Sequence, residues 1–431
     1  MEPARALYSA VGLAALPLLP FRLWWRGRNE QGYREHVGER FGRYDTSPIS
    51  HSVLWVHAVS VGETRAAMPL IQRLRAAFPQ TQILLTHMTA TGRETGRALF
   101  GDTVIQRWLP YDVPFAVQRF FEHFHPLAGF LIETELWPNL VARGHALGIP
   151  LYLVNARLSE RSAAGYRRVS ALSRPMLGRL AGIAAQTPAD AARLATLGGP
   201  SPIVTGNLKF DVEVPSTART LGSELRLIFG PTRPSWIAAS TRDGEEALIL
   251  DALAGARLPP QTLSIIVPRH PQRFAVVAEL LRSRGIPFAR RSDNRPVPAD
   301  VSIVLGDSMG EMMAYYAAVD VAFVGGSLLP LGGQNLIEPL ALGTPVLIGP
   351  HTFNFTEAAT GAIASGAALR VDDAASLVSS VNALLSDAAQ RDRMRAAALA
   401  FHSVHRGAAD RLWDWLRPQL TALKLSPSDH G

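Results

Sequence analysis

With 431 residues, of which 47% are hydrophobic and 18% charged, the chain is too long for one compact core and too apolar to be disordered, so two globular domains are expected. It has no cysteine, and its twelve histidines show no HExxH-like spacing, which excludes a disulfide framework and argues against a metal site. The net charge of +7 suits nucleic acid, an anionic membrane surface or a phosphorylated substrate; without an RNA-binding signature or a long Lys/Arg block, nucleic acid is the weakest of the three.

The chain begins with an uncharged run, ALYSAVGLAALPLLPF, from Ala6 to Phe21. A cleaved signal peptide needs a small-residue cleavage site, which the following WWRGR does not provide, and two prolines with flanking arginines argue against a buried helix. The run approaches the ~17–25 residues of a spanning helix, and Trp and Arg suit a membrane interface. We predict a membrane anchor over residues 1–28, and the excess of arginines after the uncharged run, against Arg5 alone before it, places the rest of the chain in the cytoplasm. The pattern is compatible both with a helix that spans the bilayer and with one that lies in its interface.

From residue 29 to residue 215, apolar runs of strand length alternate with helical patterns, which is typical of a parallel, doubly wound sheet. The predicted strands are Val53–Val56, Gln82–Leu85, Gly129–Ile132, Leu151–Val154 and Gly182–Ala185. The predicted helices lie near Met68–Phe78, Glu94–Phe100, Pro114–His123, Leu140–Leu147 and Ala189–Leu197. The polar, proline-containing segment from Ile203 to Arg226 is typical of an interdomain linker.

A second α/β series fills residues 216–431 and ends in helices rich in Ala and Arg. Its predicted strands are Trp236–Ala239, Ser264–Val267, Ser302–Leu305, Val321–Val324 and Pro345–Ile348, and its predicted helices are Gly244–Leu253, Phe274–Arg284, Glu311–Ala318 and Leu336–Leu342. Neither series carries the GxGxxG of an NAD site, and there is no Walker P-loop, so ATP hydrolysis is not expected. Two such domains that face each other across a cleft form the architecture of many nucleotide-sugar enzymes.

Ionisable residues follow several strands of the first series. In VLWVHAVSVGETRAAMP a strand runs through a glycine turn into a helix, and Glu63 stands where that helix begins, either as a first-turn residue that stabilises the helix dipole or as a general base. IETELWPN places Glu133 and Glu135 after a second strand, NARLSERS places Arg157 after a third, and GNLKFD places Lys209 at the domain junction. Because the carboxyl ends of parallel strands share one edge of the sheet, these groups are predicted to meet there.

The second series has the features of a nucleotide site. VPRHP puts Arg269 at a strand end, and GDSMGE opens a helix whose free N–H groups can hold a phosphate. The glycine-rich stretch from Phe323 to Phe355 allows a close approach of the backbone to a ligand, and Asn335 opens a helix that carries Glu338, which suits the hydroxyls of a ribose. Plain tight turns account for such glycines about equally well.

Eight motifs in chain order closely resemble the bacterial 3-deoxy-D-manno-oct-2-ulosonic acid (Kdo) transferases: HAVSVGE, ETELWPN, NARLS, NLKFD, PRHP, GDSMGE, GGSLLPLGGQNLIEP and GPHTFNF. The resemblance extends from the anchor to about His351–Phe355. It implies an inverting, metal-independent GT-B glycosyltransferase without a cofactor, with two Rossmann-like domains and an N-terminal anchor. It also implies transfer of Kdo from CMP-Kdo to a lipid A precursor, lipid IVA, in lipopolysaccharide core synthesis at the cytoplasmic face of the inner membrane.

The resemblance also assigns roles to residues. Glu63 corresponds to the general base, and Glu133 and Lys209 correspond to groups that support the transition state. The CMP contacts correspond to Pro268, Arg269, Met309, Gly310, Glu311, Asn335, Leu336, Ile337 and Glu338. The segment Leu328–Gln334 varies in such proteins, so its side chains receive no role.

Two alternatives remain at this point. A nucleotide-sugar epimerase has the same two-domain architecture, but it would be soluble, and the predicted anchor counts against it. The second alternative is a membrane-bound protein that binds a nucleotide without any chemistry.

Overall fold

A computed structural model describes residues 2–28, 30–49 and 51–423, and the chain separates into two compact units. The first unit comprises Met1–Asp211 together with the chain from Arg406 onward, and the second comprises Val212–His405. The boundary expected at residues 215 and 216 lies four residues from this division, because 215 − 211 = 4. The chain beyond Arg406, which was expected in the second domain, returns to the first unit; residues 424–431 of that prediction lie outside the described residues.

The first unit contains a seven-stranded parallel sheet in the order β3-β2-β1-β4-β5-β6-β7. Its strands are β1 Val53–His57, β2 Gln82–His87, β3 Ile105–Trp108, β4 Ala128–Ile132, β5 Leu151–Ala156, β6 Gly182–Ala185 and β7 Ile203–Val204. The central strands β1 and β4 are buried along their whole length because both of their faces are covered. On β1, for example, Leu54 and Val56 belong to one core cluster and Val53 and Trp55 to the other.

Ten helices accompany this sheet in the described part of the unit: α1 Pro3–Ala15, α2 Leu19–Arg26, α3 Val61–Ala77, α4 Ala90–Phe100, α5 Pro114–Phe124, α6 Pro138–Ala146, α7 Glu160–Arg168, α8 Ser170–Gly178, α9 Pro188–Thr196 and the last helix of the chain, Ala408–Ala422. That last helix belongs to the unit because its buried Leu412, Leu416 and Leu420 join the same core cluster as α3. Asp211 fixes its start, since the carboxylate accepts the N–H groups of Gly407 and Ala409. Apolar burial thus places the helix Ala408–Ala422 with the first unit.

The second unit contains another seven-stranded parallel sheet, in the order β10-β11-β9-β8-β12-β13-β14. Its strands are β8 Ser235–Thr241, β9 Leu263–Pro268, β10 Phe288–Arg290, β11 Ile303–Leu305, β12 Val321–Val324, β13 Val346–Ile348 and β14 Ala368–Arg370. Its helices are α10 Ser216–Phe229, α11 Glu245–Ala254, α12 Phe274–Ser283, α13 Met312–Ala318, α14 Ile337–Leu342, α15 Thr356–Ala364, α16 Ala374–Ser386 and α17 Ala388–His405; the last helix of the chain is therefore α18.

The segment expected to be a linker is ordered secondary structure over much of its length. It contains β7 and most of α10, whose Leu225 and Phe229 are buried in the core of the second unit. The polar residues that suggested a linker lie on the outer face of an amphipathic helix.

The four strands that the sequence analysis missed, β3, β7, β10 and β14, are the two edge strands of each sheet. An edge strand has a neighbour on one side alone, so it can be shorter and more polar than a central strand. The residues of β3, IQRW, alternate between half-buried and buried, and β7 has two residues. Neither presents the continuous apolar run that identified the central strands.

Candidate active site

At the carboxyl edge of the first sheet, β1 leads through a short turn into α3, and Glu63 lies in the first turn of that helix. Its Oε2 accepts the N–H of Val59 at 2.8 Å, and its Oε1 accepts the hydroxyl of Ser60 at 2.8 Å. Ser60 is the N-cap residue and also accepts the N–H of Glu63. The arrangement is close to a capping box, so Glu63 does cap the helix.

Glu63 is 9% exposed as a residue, and burial raises the pKa of its carboxyl group to about 7. The hydrogen bond from Val59 acts in the opposite direction, and the charge of Glu133 raises the pKa further. A carboxylate with a pKa near 7 can accept a proton at neutral pH and is a stronger base than an ordinary glutamate. Capping and proton transfer are therefore compatible roles for this residue.

Lys209 and Glu133 form an ion pair beside this turn, with 2.7 Å between Nζ and Oε1. Both side chains are about one-fifth exposed, at 19% and 18%. Glu133 follows β4 directly, and a Cβ placed on Gly62 would lie 4.0 Å from Nζ of Lys209. The structure thus brings together three of the predicted residues, Glu63, Glu133 and Lys209, within the first unit.

The GNLKFD motif is a tight turn that presents the lysine. Leu208 and Phe210 are buried on either side of Lys209, and the side-chain carbonyl of Asn207 accepts the Lys209 N–H at 3.0 Å. Asp211 ends the motif by holding the start of α18. Packing accounts for Leu208 and Phe210, and hydrogen bonds to backbone N–H groups account for Asn207 and Asp211.

Two further charged residues from the sequence analysis lie near this edge. Burial raises the pKa of Glu135, and the charge of Glu133 contributes in the same direction. Glu135 also raises the pKa of Glu63, which places it within electrostatic reach of that group. Arg157 is half-buried directly after β5.

The predicted donor residues of the second unit follow β9, β11 and β12. Pro268 ends β9 and is buried. Arg269 is half-buried, and its backbone N–H donates a hydrogen bond to the Thr241 carbonyl at 2.9 Å. Met309 and Gly310 are exposed in the turn before α13, where Gly310 adopts a φ of 78°. Glu311 is the N-cap of α13, and its Oε1 accepts a hydrogen bond from Arg291 at 3.1 Å.

The second half of the predicted donor site is the start of α14. The Asn335 side chain accepts the N–H of Ile337 and donates to Oε1 of Glu338, both at 3.0 Å. Leu336 and Ile337 are buried, so their side chains face the core and their backbone is what remains available to a ligand. Both helices of the predicted donor site are short: α13, which was predicted to present free N–H groups, has seven residues, and α14, which carries Glu338, has six.

Residues 35–212 match a family profile described as 3-Deoxy-D-manno-octulosonic-acid transferase (kdotransferase). A 3-deoxy-D-manno-octulosonic acid transferase of Bordetella pertussis is 44% identical over 96% of this chain and 99% of its own length. One from Haemophilus influenzae is 39% identical, again over 96% of this chain and 99% of its own length. This chain belongs to the Kdo transferase family. It is a GT-B glycosyltransferase with Kdo transferase activity in lipopolysaccharide synthesis.

Among solved structures, the UDP-GlcNAc 2-epimerase from Neisseria meningitidis bound to UDP-GlcNAc is similar to 85% of this Kdo transferase and to 100% of that chain. The TM-score is 0.57 and the identity 16%. The likeness shows the fold alone, because an epimerase and a glycosyltransferase share it. The sequence relatives are what separate this Kdo transferase from the epimerases.

A buried carboxylate that was not predicted from the sequence holds the glycine-rich stretch of this Kdo transferase. Glu245 is fully buried, and its carboxylate accepts the N–H groups of Arg242, Gly326 and Leu328 at 2.9, 2.6 and 3.0 Å. The stretch is therefore a loop fixed by a carboxylate and not a simple tight turn. The signal was an acidic pair, Glu245-Glu246, in the first turn of the helix that follows a buried strand.

The choice of lysine at position 209 is a second feature of the sequence that indicates a special role and was not used in the prediction. The chain has 43 lysine and arginine residues, and Lys209 and Lys424 are its two lysines. A sequence that otherwise uses arginine for its positive charge keeps a lysine here, where a compact ammonium group meets Glu133. Lys424 lies outside the described residues.

The raised pKa of Glu63 predicts a pH-dependent stability. In the folded protein the Glu63 carboxyl group keeps its proton up to about pH 7, whereas in the unfolded chain, with the ordinary pKa of 4.5, it loses the proton at lower pH. The free energy of unfolding therefore falls as the pH rises from 4.5 to about 7. The shift corresponds to about 3 kcal/mol. Glu63→Gln has no charge, and its side-chain carbonyl can accept one of the two hydrogen bonds while its NH2 group can only donate. We expect this variant to lose less stability than wild type between pH 5 and pH 8. Glu94→Gln, at an exposed position of α4, is the control, and an unchanged pH dependence in Glu63→Gln would contradict the assignment.

Proposed function

We propose that this Kdo transferase transfers Kdo from CMP-Kdo to a lipid A precursor by an inverting, metal-independent displacement. The observation that carries the proposal is the cluster of Glu63, Glu133 and Lys209, which combines a carboxylate of raised pKa with an ammonium–carboxylate pair at one sheet edge. The motifs that match Kdo transferases supply these three residues. Family membership supports the sugar, and the donor nucleotide and the acceptor are part of the proposal.

In the proposed reaction Glu63 acts as the general base. As the acceptor hydroxyl oxygen bonds to the anomeric carbon of Kdo, its proton passes to the Glu63 carboxylate. The bond between that carbon and the phosphate oxygen breaks on the opposite face, and CMP leaves with the electron pair. The hydrogen bonds from Val59 and Ser60 fix the direction of the carboxylate before the acceptor binds.

Lys209 and Glu133 support the transition state in this scheme. The ammonium group stabilises negative charge, either on the Kdo carboxylate or on the leaving phosphate, and Glu133 fixes its position at 2.7 Å. Such stabilisation depends on charges that are in place before the reaction. The turn around Lys209, in which Asn207 accepts the Lys209 N–H, holds the lysine in position beforehand.

For the donor we propose that CMP binds the second unit through Pro268, Arg269, Met309, Gly310, Glu311 and Asn335, Leu336, Ile337 and Glu338. Arg269 is the strongest candidate for the phosphate because its guanidinium group can form charge-assisted hydrogen bonds. The exposed turn at Met309 and Gly310 offers backbone groups, and the carboxylate of Glu338 suits ribose hydroxyls. Among the described residues no group of three or more His, Asp or Glu side chains is arranged to hold a metal ion.

For localisation we propose attachment to the cytoplasmic face of the inner membrane through the N-terminal helix. The helical segment Pro3–Arg26, in which a 3-10 turn at Leu16–Leu18 joins α1 to α2, is long and apolar enough to cross a membrane by length and composition. Two contacts dock one of its sides on the first unit, Glu2 with Arg179 at 2.7 Å and Ser9 with Asn139 at 3.0 Å. These contacts support a helix that lies along the unit with its opposite side in the bilayer. The exposed large apolar residues of that segment are Leu7, Val11, Leu13, Leu18, Phe21, Trp24 and Trp25.

The first test is acceptor-dependent release of CMP from CMP-Kdo in the presence of tetra-acylated lipid A precursor, with the lipid product measured by mass spectrometry. We expect wild type to form the Kdo-lipid with a rate that rises through about pH 7, and Glu63→Gln to lose ~10²–10⁴ of the rate. An epimerase would change the sugar without an acceptor, and a binding protein would release no CMP. A Glu63→Gln variant within a few-fold of wild type would limit Glu63 to capping α3.

The donor assignment predicts that Arg269→Ala weakens the binding of CMP by about 10–100-fold in calorimetry, because a charge-assisted hydrogen bond is lost. Glu338→Ala should have a smaller effect, since ribose hydroxyls are neutral donors. Arg295→Ala, at an exposed position of the same unit, is the charge-matched control and should bind CMP normally. Unchanged affinity in both Arg269→Ala and Glu338→Ala would place the nucleotide elsewhere.

The anchor proposal predicts that glutamine at Leu7, Leu18 and Phe21, which are 68%, 69% and 64% exposed, releases the protein from vesicles containing phosphatidylethanolamine and phosphatidylglycerol. Losing three apolar side chains from the bilayer should weaken attachment by at least ~10²-fold, while the docking contacts of Glu2 and Ser9 and the affinity for CMP stay intact. Leu227→Gln, with an equally exposed leucine in the second unit, is the control. A triple variant that still floats with the vesicles would assign attachment to another surface.

A further inference from the structure

Strand β5 contains an irregularity at its carboxyl end. Leu153 pairs with Ile183 and Ala156 pairs with Ala185, so Val154 and Asn155 lie opposite a single residue of β6. Asn155 has a φ of 53°, in the left-handed region that residues other than glycine and asparagine rarely adopt, and its side chain is fully buried. Two residues opposite one define a bulge, a feature that redirects side chains at the end of a strand.

The Asn155 bulge touches both sides of the Lys209–Glu133 ion pair. The carbonyl of Val154 accepts the N–H of Glu133 at 3.0 Å. The side-chain carbonyl of Asn155 accepts the N–H of Leu208 at 2.9 Å, one residue before Lys209. Lys209 and Glu133 are themselves in contact at 2.7 Å, so the bulge and the ion pair form one continuous set of contacts.

Asn155 uses its backbone carbonyl and its side-chain Oδ1 to connect the bulge to neighbouring residues. Its backbone carbonyl accepts the side-chain N–H of Gln186 at 3.0 Å, which fixes the peptide, and Oδ1 holds Leu208. Within the part of the chain that the structure describes, Nδ2 is buried without a hydrogen-bond partner. A buried unsatisfied donor is unfavourable for stability. The left-handed backbone is compatible with glycine as well as asparagine, and what asparagine adds is the Oδ1 acceptor that holds the lysine turn.

We propose that Asn155 is a positioning residue, which holds the Leu208–Lys209 turn so that the Lys209 ammonium group meets Glu133 during transfer. It contacts the backbone beside the lysine and no reacting atom. The inference rests on the proposed function, since it deepens the role given there to Lys209. A displacement of about 1 Å at a catalytic group can lower a rate by about 10²-fold, which sets the scale of the expected effect.

The variant that isolates the contact is Asn155→Gly, because glycine adopts the left-handed backbone freely and lacks the Oδ1 acceptor. We expect kcat to fall by about 10²-fold while KM for CMP-Kdo stays within a few-fold of wild type. His125→Gly, which also replaces a left-handed residue of the first unit, with a φ of 41°, is the matched control for the backbone change. A kcat for Asn155→Gly equal to that of His125→Gly and wild type would overturn the proposal.

A double-mutant cycle separates positioning of Lys209 from a general structural effect. If Asn155 acts through Lys209, then adding Asn155→Gly to Lys209→Ala should cause no further loss of kcat. Losses that multiply would show that the two residues act independently, and the proposal would fail.

A measurement without turnover tests the same contact even if the proposed function were wrong. Because the chain has two lysines, protein labelled with [ε-13C]lysine gives two side-chain signals, and Lys424→Arg identifies that of Lys209. We expect Asn155→Gly to move the Lys209 signal in the direction produced by Glu133→Gln, and His125→Gly to leave it in place. An unmoved signal refutes the inference, whereas a moved signal in a protein that forms no Kdo-lipid refutes the transfer reaction alone.

Discussion

Parallel pairing of strands is the constraint on which the arrangement of each unit depends. Every strand pairing that the structure describes is parallel, so the chain must cross from the carboxyl edge of the sheet back to its amino edge after each strand. All carboxyl ends therefore lie along one edge. In the first unit this brings Glu63, Glu133 and the Lys209 turn together, although Glu63 and Lys209 are 146 positions (209 − 63) apart in the sequence.

Buried carboxylates that accept backbone N–H groups recur at the start of helices. Glu63 holds Val59, Glu245 holds Gly326 and Leu328, and Asp190 holds the N–H of Leu158 at 2.8 Å. Each carboxylate fixes a loop that follows a different strand. Such contacts give rigid loops at the sheet edge without a long-range disulfide or a metal ion, which suits a site that depends on preorganised charge.

Glu63 shows how a structural role and a chemical role can coincide. Its two hydrogen bonds orient the carboxylate and lower its proton affinity, whereas burial acts more strongly in the opposite direction and leaves the pKa at about 7. Burial without the hydrogen bonds would raise the pKa further, and the hydrogen bonds in an exposed position would lower it. The combination produces a fixed base that changes its charge near neutral pH.

The amino-acid sequence by itself determined the central strands, the two α/β units and the family, because central strands are continuous apolar runs and because the motifs Ser-Val-Gly-Glu63, Glu133-Thr-Glu and Asn-Leu-Lys209 are local. Tertiary structure decided what depends on distant partners. The edge strands are too short and polar to be recognised without a neighbour, and the return of α18 to the first unit follows from its leucines packing in the same core cluster as α3. The side chain of Asn155 in the bulge accepts the N–H of Leu208, 53 positions away, a contact that no local pattern indicates. The local pattern of apolar and polar residues indicates whether a residue is buried, but only the folded chain shows which distant residue it contacts.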